Sequence, residues 1–314
     1  MNSIVGSLLI VLLLASCGAT PDESSATPQV IGGESLDPDD YERDMKATAI
    51  LDGDTGEIVL PLEQFFMSRD EQSKVDGAII LSMASCIHDA GYPALWVPFG
   101  ERERKESQRY GRWVLEYAEK YGYSDIPDLI GQEIRDHEVA FGQYYSEEVN
   151  IPEYDKVIED CGGNGEDSEI IASAFEDGAP PEVLEMRQLS YNLMKETPEA
   201  QAAENEWRQC VEEEGLVVEE VDNEYAIKDV SYIDADEDSI RAAIIDVRCK
   251  EKTDLIKRLS DIEASYQAPI LKKYEAELVE MRSSVEESIA AVDVFMNNHK
   301  KEAQTLEALA NNIP

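Results

Sequence analysis

Two short segments of this chain are written to one pattern. Residues 83–92 read MASCIHDAGY and residues 207–216 read WRQCVEEEGL. Each has a Cys, four residues, a Gly and then a large apolar side chain. A helix that stops on a left-handed glycine has this form, with the apolar residue after the Gly folded back on the last turn. The residues upstream agree. Ser68 and Glu71 form an S-x-x-E capping box, and Val75, Ile79, Met83 and Ile87 then recur on one helical face up to Gly91. In the second copy Thr197 is an N-cap with Pro198 at the first helical position. Ala200, Ala203, Trp207 and Val211 follow on one face up to Gly215. Both copies place the Cys in the last helical turn, where a bridge would pin the helix end to its neighbour.

Four cysteines lie in this part of the chain: Cys86, Cys161, Cys210 and Cys249. They allow three pairings, and sequence alone does not choose among them. The simplest topology is sequential, Cys86 with Cys161 and Cys210 with Cys249, giving two modules each closed by its own bridge. Interleaved pairing, Cys86 with Cys210 and Cys161 with Cys249, stays open. No C-x-x-C occurs, so neither a zinc site nor a thioredoxin-type motif is indicated.

The fifth cysteine belongs to a different signal. The chain begins MNSIVGSLLIVLLLASCGAT. The apolar run from Ile4 to Ala15 is too short to span a bilayer and suits the core of a signal peptide. Leu14-Ala15-Ser16-Cys17 resembles a bacterial lipobox, which implies lipidation of Cys17 on sulfur and cleavage just before it, although Met1 to Gly6 contain no Lys or Arg. The expected address is the outer face of the cell membrane, an oxidising setting in which cysteines pair. Acyl chains bury about 0.8 kcal/mol per CH₂, enough for two of them to hold a protein there. Residues 18–45 are rich in Pro, Gly, Ser, Thr and acid, the composition of a flexible acidic tether.

Further residues carry a family resemblance. Ile58 to Glu63 precede the first helix, followed by Cys86 with Gly91-Tyr92, Arg109-Tyr110-Gly111 and Tyr121-Gly122-Tyr123. Glu206-Trp207 then precede Cys210 and Gly215, Asp246-Val247 precede Cys249, and Lys252 to Leu255 and Tyr266-Gln267 come after it. In this order they resemble a group of actinobacterial lipoproteins of unknown function. The resemblance implies a secreted, disulfide-bonded helical domain and carries no catalytic residues.

The fold class expected is mainly α with one or two short β-hairpins. Residues 48–60 (TAILDGDTGEIVL) and 216–233 (LVVEEVDNEYAIKDVSYI) carry the hairpin signals. The organisation expected is a signal peptide and lipobox over 1–17, the tether over 18–45, a first Cys module over 46–178 and a second over 179–250. Long C-terminal helices then fill 251–314, packing on the domain or projecting from it. From Ser239 to Leu309 there is no Gly and a single Pro269, which predicts two long helices or one kinked at the proline. A stripe from Ile262 through Tyr266, Leu278, Val285 and Phe295 to Leu306 marks their core face.

Chemistry is sparse. Lys and Arg number 27 against 68 Asp and Glu, a net charge of −41. Such a surface repels phosphate backbones and excludes nucleic acid as a partner. His137-Glu138 opens like a zincin motif, but Phe141 stands where the second His would be. Asp234, Asp236 and Asp238 open like a calcium loop, but Ser239 and Ile245 hold its Gly and Glu positions. No catalytic residue, metal site or cofactor is therefore expected. One stretch contrasts with the acidic rest: WVPFGERERKESQRYGRWVLEYAEKYGY over residues 96–123. Trp96, Phe99, Arg102, Arg104, Arg109 and Tyr110 combine Arg with aromatics, the usual makings of a contact patch. The expected function is a non-enzymatic, lipid-anchored envelope protein that binds an envelope protein or a glycan. The alternatives are a cell-wall hydrolase using carboxylates and a solute-binding lipoprotein.

Overall fold

A computed structural model describes residues 37–98, 107–127, 129–163, 178–221 and 224–313. The fold is mainly helical, with eleven α-helices and two antiparallel two-stranded sheets among the described residues. The first hairpin pairs β1 (Ile50–Asp52) with β2 (Glu57–Val59). The second pairs β3 (Val218–Val221) with β4 (Glu224–Ile227). Both fall inside the segments whose β-favouring ends flank turn residues.

The echoed segments are two helices built alike. Helix α1 (Arg69–Asp89) opens on Ser68, whose Oγ accepts from the Glu71 amide at 3.2 Å while the Glu71 carboxylate accepts from the Ser68 amide at 2.8 Å. It ends at Gly91, where φ is +88°, and the Tyr92 amide donates back to the Ile87 carbonyl at 3.2 Å. The later copy, α7 (Pro198–Glu213), opens on Thr197 Oγ1 accepting from the Ala200 amide. It ends at Gly215, also at φ +88°, with the Leu216 amide on the Val211 carbonyl at 3.3 Å. A side chain at either glycine would be strained in that left-handed conformation.

The bridges join neighbours in sequence. Cys86 of α1 is bonded to Cys161 of α5 (Pro152–Gly163), and Cys210 of α7 to Cys249 of α8 (Glu237–Thr253). Between α1 and α5 run α2 (Leu115–Tyr121), α3 (Leu129–Tyr144) and the single turn α4 (Ser146–Val149); α6 (Pro181–Glu196) precedes α7.

The C-terminal third differs from the two long helices, or one kinked at Pro269, that the sequence predicts. After α8 come α9 (Leu255–Lys273), α10 (Glu275–Asn298) and α11 (Lys300–Asn311). Asp254, at φ +54°, makes the break between α8 and α9 without a glycine. Pro269 sits inside α9, which continues to Lys273 and breaks at Tyr274. The position expected to divide modules, 250/251, falls inside α8. Helix α9 packs against both α6 and α7 and so occupies the centre of the fold.

The stripe is buried within the chain. Val292, Phe295 and Leu306 join Val75, Leu81 and Ile87 of α1 in one core. Tyr266, Leu278 and Met281 join Leu62, Phe66 and Leu193 in a second. A third gathers Trp207 and Val211 with Leu255 and Leu259 beneath the β3–β4 hairpin. The first bridge thus closes a module whose core is completed by helices some two hundred residues downstream in the chain.

Helix α1 is also tied to α10 through charge. Arg282 donates to both Glu71 oxygens, at 3.1 and 2.6 Å, so one carboxylate serves the capping box and an ion pair. Arg282 and the Ser68 amide hold the Glu71 carboxyl down at about 2 against an ordinary value of 4.5, despite some opposing burial. A pKa lower in the folded chain than in the unfolded one gives stability that is complete above about pH 4.5 and is lost as pH falls towards 2. Glu71→Gln is expected to cost about 1 kcal/mol at neutral pH, a modest figure because the pair is partly exposed. Denaturant melts of both forms across this range check it: their stabilities should converge on acidification.

Candidate functional site

The arginine- and aromatic-rich stretch is the segment to which the sequence directs attention, and the structure turns much of it inward. Trp96 is buried, with its indole N–H donated to the Gly77 carbonyl of α1 at 3.2 Å. Tyr110 is buried as well. Arg109 donates through Nε to Glu263 Oε2 at 2.8 Å and through a second nitrogen to Oε1, closing a two-pronged ion pair. These three residues are corrected from an exposed contact patch to internal ties. Phe99, Arg102 and Arg104 lie outside the described residues.

What gathers Arg109 and Tyr110 is a carboxylate that sequence reading missed. Glu263 of α9 is 0% exposed. Besides Arg109, it accepts from Tyr110 Oη at 2.6 Å and from Ser190 Oγ of α6 at 2.8 Å. Gln267, one turn on, donates to Ser190 Oγ at 3.0 Å and accepts from the Leu62 amide at 3.0 Å. Every partner of the Glu263 oxygens is thus a donor, as a buried carboxylate requires. Burial opposes the Arg109 charge, and the adjacent carboxylate more than reverses this, holding the guanidinium protonated. Burial, then Glu263, pushes the Tyr110 hydroxyl well above its usual range, so it stays a donor.

A second cluster repeats the design on the preceding helix, α8. Asp246 of α8 is buried and accepts from Trp207 Nε1 at 2.8 Å, Lys250 Nζ at 3.1 Å and Tyr123 Oη at 3.2 Å. Lys250 also donates to the Arg112 carbonyl at 2.8 Å. Arg112, itself buried, donates to the Gly122 carbonyl at 2.9 Å and the Ser124 carbonyl at 2.6 Å. Burial and then Asp246 raise the Tyr123 hydroxyl well above its normal range. Both clusters hold residues 107–124 against α6, α8 and α9. Gly122 is the closest approach: at φ +57°, a Cβ there would lie 2.6 Å from Ser239 Oγ and 3.0 Å from the Ile240 amide nitrogen.

The signal for these carboxylates was present but is easily passed over. Glu263 falls four residues after Leu259 on the buried face of α9, and Asp246 stands four before Lys250 on the buried face of α8. An acid on an apolar stripe marks a buried partner.

The remaining titratable positions do local work. His88 is exposed in the last turn of α1, and His299 faces the Phe295 carbonyl through Nδ1 at 3.0 Å. Asp236 caps α8 by accepting from the Ser239 amide at 2.8 Å, the role it has where a calcium loop would begin. Among the described residues, no three His, Cys, Asp or Glu side chains gather into a cation site. Two open hollows occur there, one of about 400 Å³ beside Asp136 and His137 and one of about 260 Å³ beside His88 and Lys301. Cys17 lies outside the described residues. Comparison with protein-family models, curated proteins and solved structures finds no match.

Two substitutions test the structural reading of the clusters. Glu263→Ala leaves Arg109 without its counter-charge and should destabilise by about 3–5 kcal/mol. Adding Arg109→Met to it should recover part of that loss, and a denaturation cycle over the single and double variants measures the coupling. Gly122→Ala adds a clash and a left-handed strain and should cost about 2 kcal/mol or more in the same assay.

Proposed function

We propose that this protein is an extracytoplasmic, lipid-anchored interaction protein of the cell envelope, without catalytic activity of its own, within the actinobacterial lipoprotein group it resembles. The observation that carries the reading is the combination of Leu14-Ala15-Ser16-Cys17 after an apolar run with two disulfides downstream. Disulfides persist in oxidising compartments, so the bridges are compatible with an extracytoplasmic location. Among the described residues no helix is long and apolar enough to cross a membrane. Attachment then falls to the acyl chains on Cys17, and the tether expected over 18–45 stops short of its last residues, which lie on the helical domain: the Asp44 amide donates to the Ser265 carbonyl at 2.8 Å and Arg43 Nε donates to Ser265 Oγ at 3.0 Å.

The buried ionic residues support binding rather than catalysis. Glu263 and Asp246 have the burial of catalytic acids, but their acceptor positions are filled by Arg109, Tyr110 and Ser190, and by Trp207, Lys250 and Tyr123. Such groups rigidify a scaffold. The partner would be an envelope protein or glycan meeting the outer surface.

The anchor is tested by metabolic labelling with a clickable fatty acid. The wild-type chain should take the label and partition with membranes, and Cys17→Ser should do neither. Equal labelling of the two would end the lipoprotein reading.

A further inference from the structure

We propose that the outer edge of β3 is a docking site for an extended, cationic segment of a partner protein, added to the β3–β4 hairpin as a third strand. This deepens the interaction-protein reading and rests on it.

The argument begins with which backbone groups the hairpin uses. The Lys228 amide donates to the Val217 carbonyl at 2.8 Å, so 217 and 228 face each other as a hydrogen-bonded pair. In an antiparallel ladder bonded and non-bonded pairs alternate. The pair Val218–Ile227 is therefore non-bonded, as is Glu220–Tyr225, and the amides and carbonyls of these four residues point away from the hairpin. The outer groups of Ile227 are occupied: its amide donates to Tyr232 Oη at 2.7 Å, and Tyr232 Oη donates to its carbonyl at 3.3 Å. The β4 edge is thus plugged by a side chain. The outer groups of Val218 and Glu220 on β3 have no such partner among the described residues, nor do those of Tyr225 on β4, so β3 is the edge that offers two successive unfilled positions.

The side chains state what would fit. One face of the hairpin is internal, with Val218, Tyr225 and Ile227 packed on the core around Trp207. The opposite face carries Val217 at 59% and Val221 at 48% exposure with the exposed Glu219 between them. Glu219 and Glu220 enter no ion pair among the described residues, whereas Glu224 on β4 is held by Lys195 at 2.8 Å. An incoming strand would therefore find two hydrogen-bonding residues, two apolar side chains and two unneutralised carboxylates. A Lys beside Glu219 would place its charge on the carboxylate and its methylenes over the valines. Charge also decides against a second copy of this chain, which would set Glu219 and Glu220 near their own equivalents on molecules of net charge −41. Acidic side chains on an open edge reject acidic strands while leaving basic ones free to pair.

The test uses the full chain in detergent and a fluorescent short peptide of alternating Lys and Val. Binding is read by anisotropy, with hydrogen exchange at the Val218 and Glu220 amides as the second measurement. The peptide should bind and slow exchange at those two amides. The same peptide N-methylated at alternate amides keeps its charge and loses its strand hydrogen bonds, and it should not bind. Glu220→Pro removes an outward amide and leaves the β3–β4 ladder intact; it should weaken binding by about tenfold or more at an unchanged melting temperature. If that variant does not fold, the exchange pattern and the N-methylated peptide decide. Equal binding of both peptides would show attraction by charge alone and overturn the proposal. Unchanged exchange at the two amides would also overturn it, as would a wild-type dimer by sedimentation that Glu220→Pro dissolves. Cys17→Ser should bind the peptide as the wild type does, so a failed anchor and a failed docking edge give different results.

Discussion

The ion pair between Arg109 and the fully buried Glu263 is the constraint on which the rest of the arrangement depends. A carboxylate on the central helix, α9, can be taken out of water only if every lone pair finds a donor. Those donors come from separate parts of the chain: Arg109 and Tyr110 from the segment before α2, and Ser190 from α6. Satisfying one carboxylate thus fixes the positions of three segments at once. Gln267 extends the tie to Leu62, before α1. A buried pair of this kind adds little net stability compared with apolar packing. Its consequence here is registration of the segments, since a shift of α6 on α9 would take the Ser190 donor from the buried carboxylate.

The two disulfides act on a different part of the problem. They shorten the unfolded chain's reach, and the chain-entropy model gives about 4 kcal/mol for loops of this order. They leave the ionic clusters to specify how the modules meet. The Cys210–Cys249 bridge lies one turn of α8 from Asp246, so covalent and polar ties coincide at the α7–α8 contact. The Cys86–Cys161 bridge closes the module whose core is finished by α10 and α11. The paired Cys and Gly segments are therefore an architectural repeat: a capped helix, a bridge in its last turn and a left-handed glycine stop.

A scaffold tied in this way uses its buried polar groups on internal contacts. The arginines and aromatics that look like a contact patch in sequence are, at Trp96, Arg109, Tyr110 and Arg112, spent on internal hydrogen bonds. In a chain with so many carboxylates, the few arginines are the natural counter-charges for the acids that become buried. The surface that remains is dominated by carboxylates with a few exposed apolar residues among them, and the open β3 edge combines the two.

The sequence by itself determined whatever depends on neighbours along the chain. Ser68 with Glu71, Thr197 with Pro198, Gly91 and Gly215 set helix ends through hydrogen bonds and φ angles only a few residues apart. The two hairpins and the mainly α class follow from equally short-range preferences, and the even count of downstream cysteines limited the bridges to three arrangements. Tertiary structure alone chose among those arrangements, because pairing depends on which helix ends meet in space. It alone decided that α10 and α11 complete the α1 core, that Asp254 rather than Pro269 breaks the C-terminal helices first, and that Arg109 faces Glu263 across 154 positions of sequence. The site was the less legible part for the same reason: a lone acid on an apolar stripe announces that a partner exists, and only the packing of distant segments in low dielectric decides which residue that partner is.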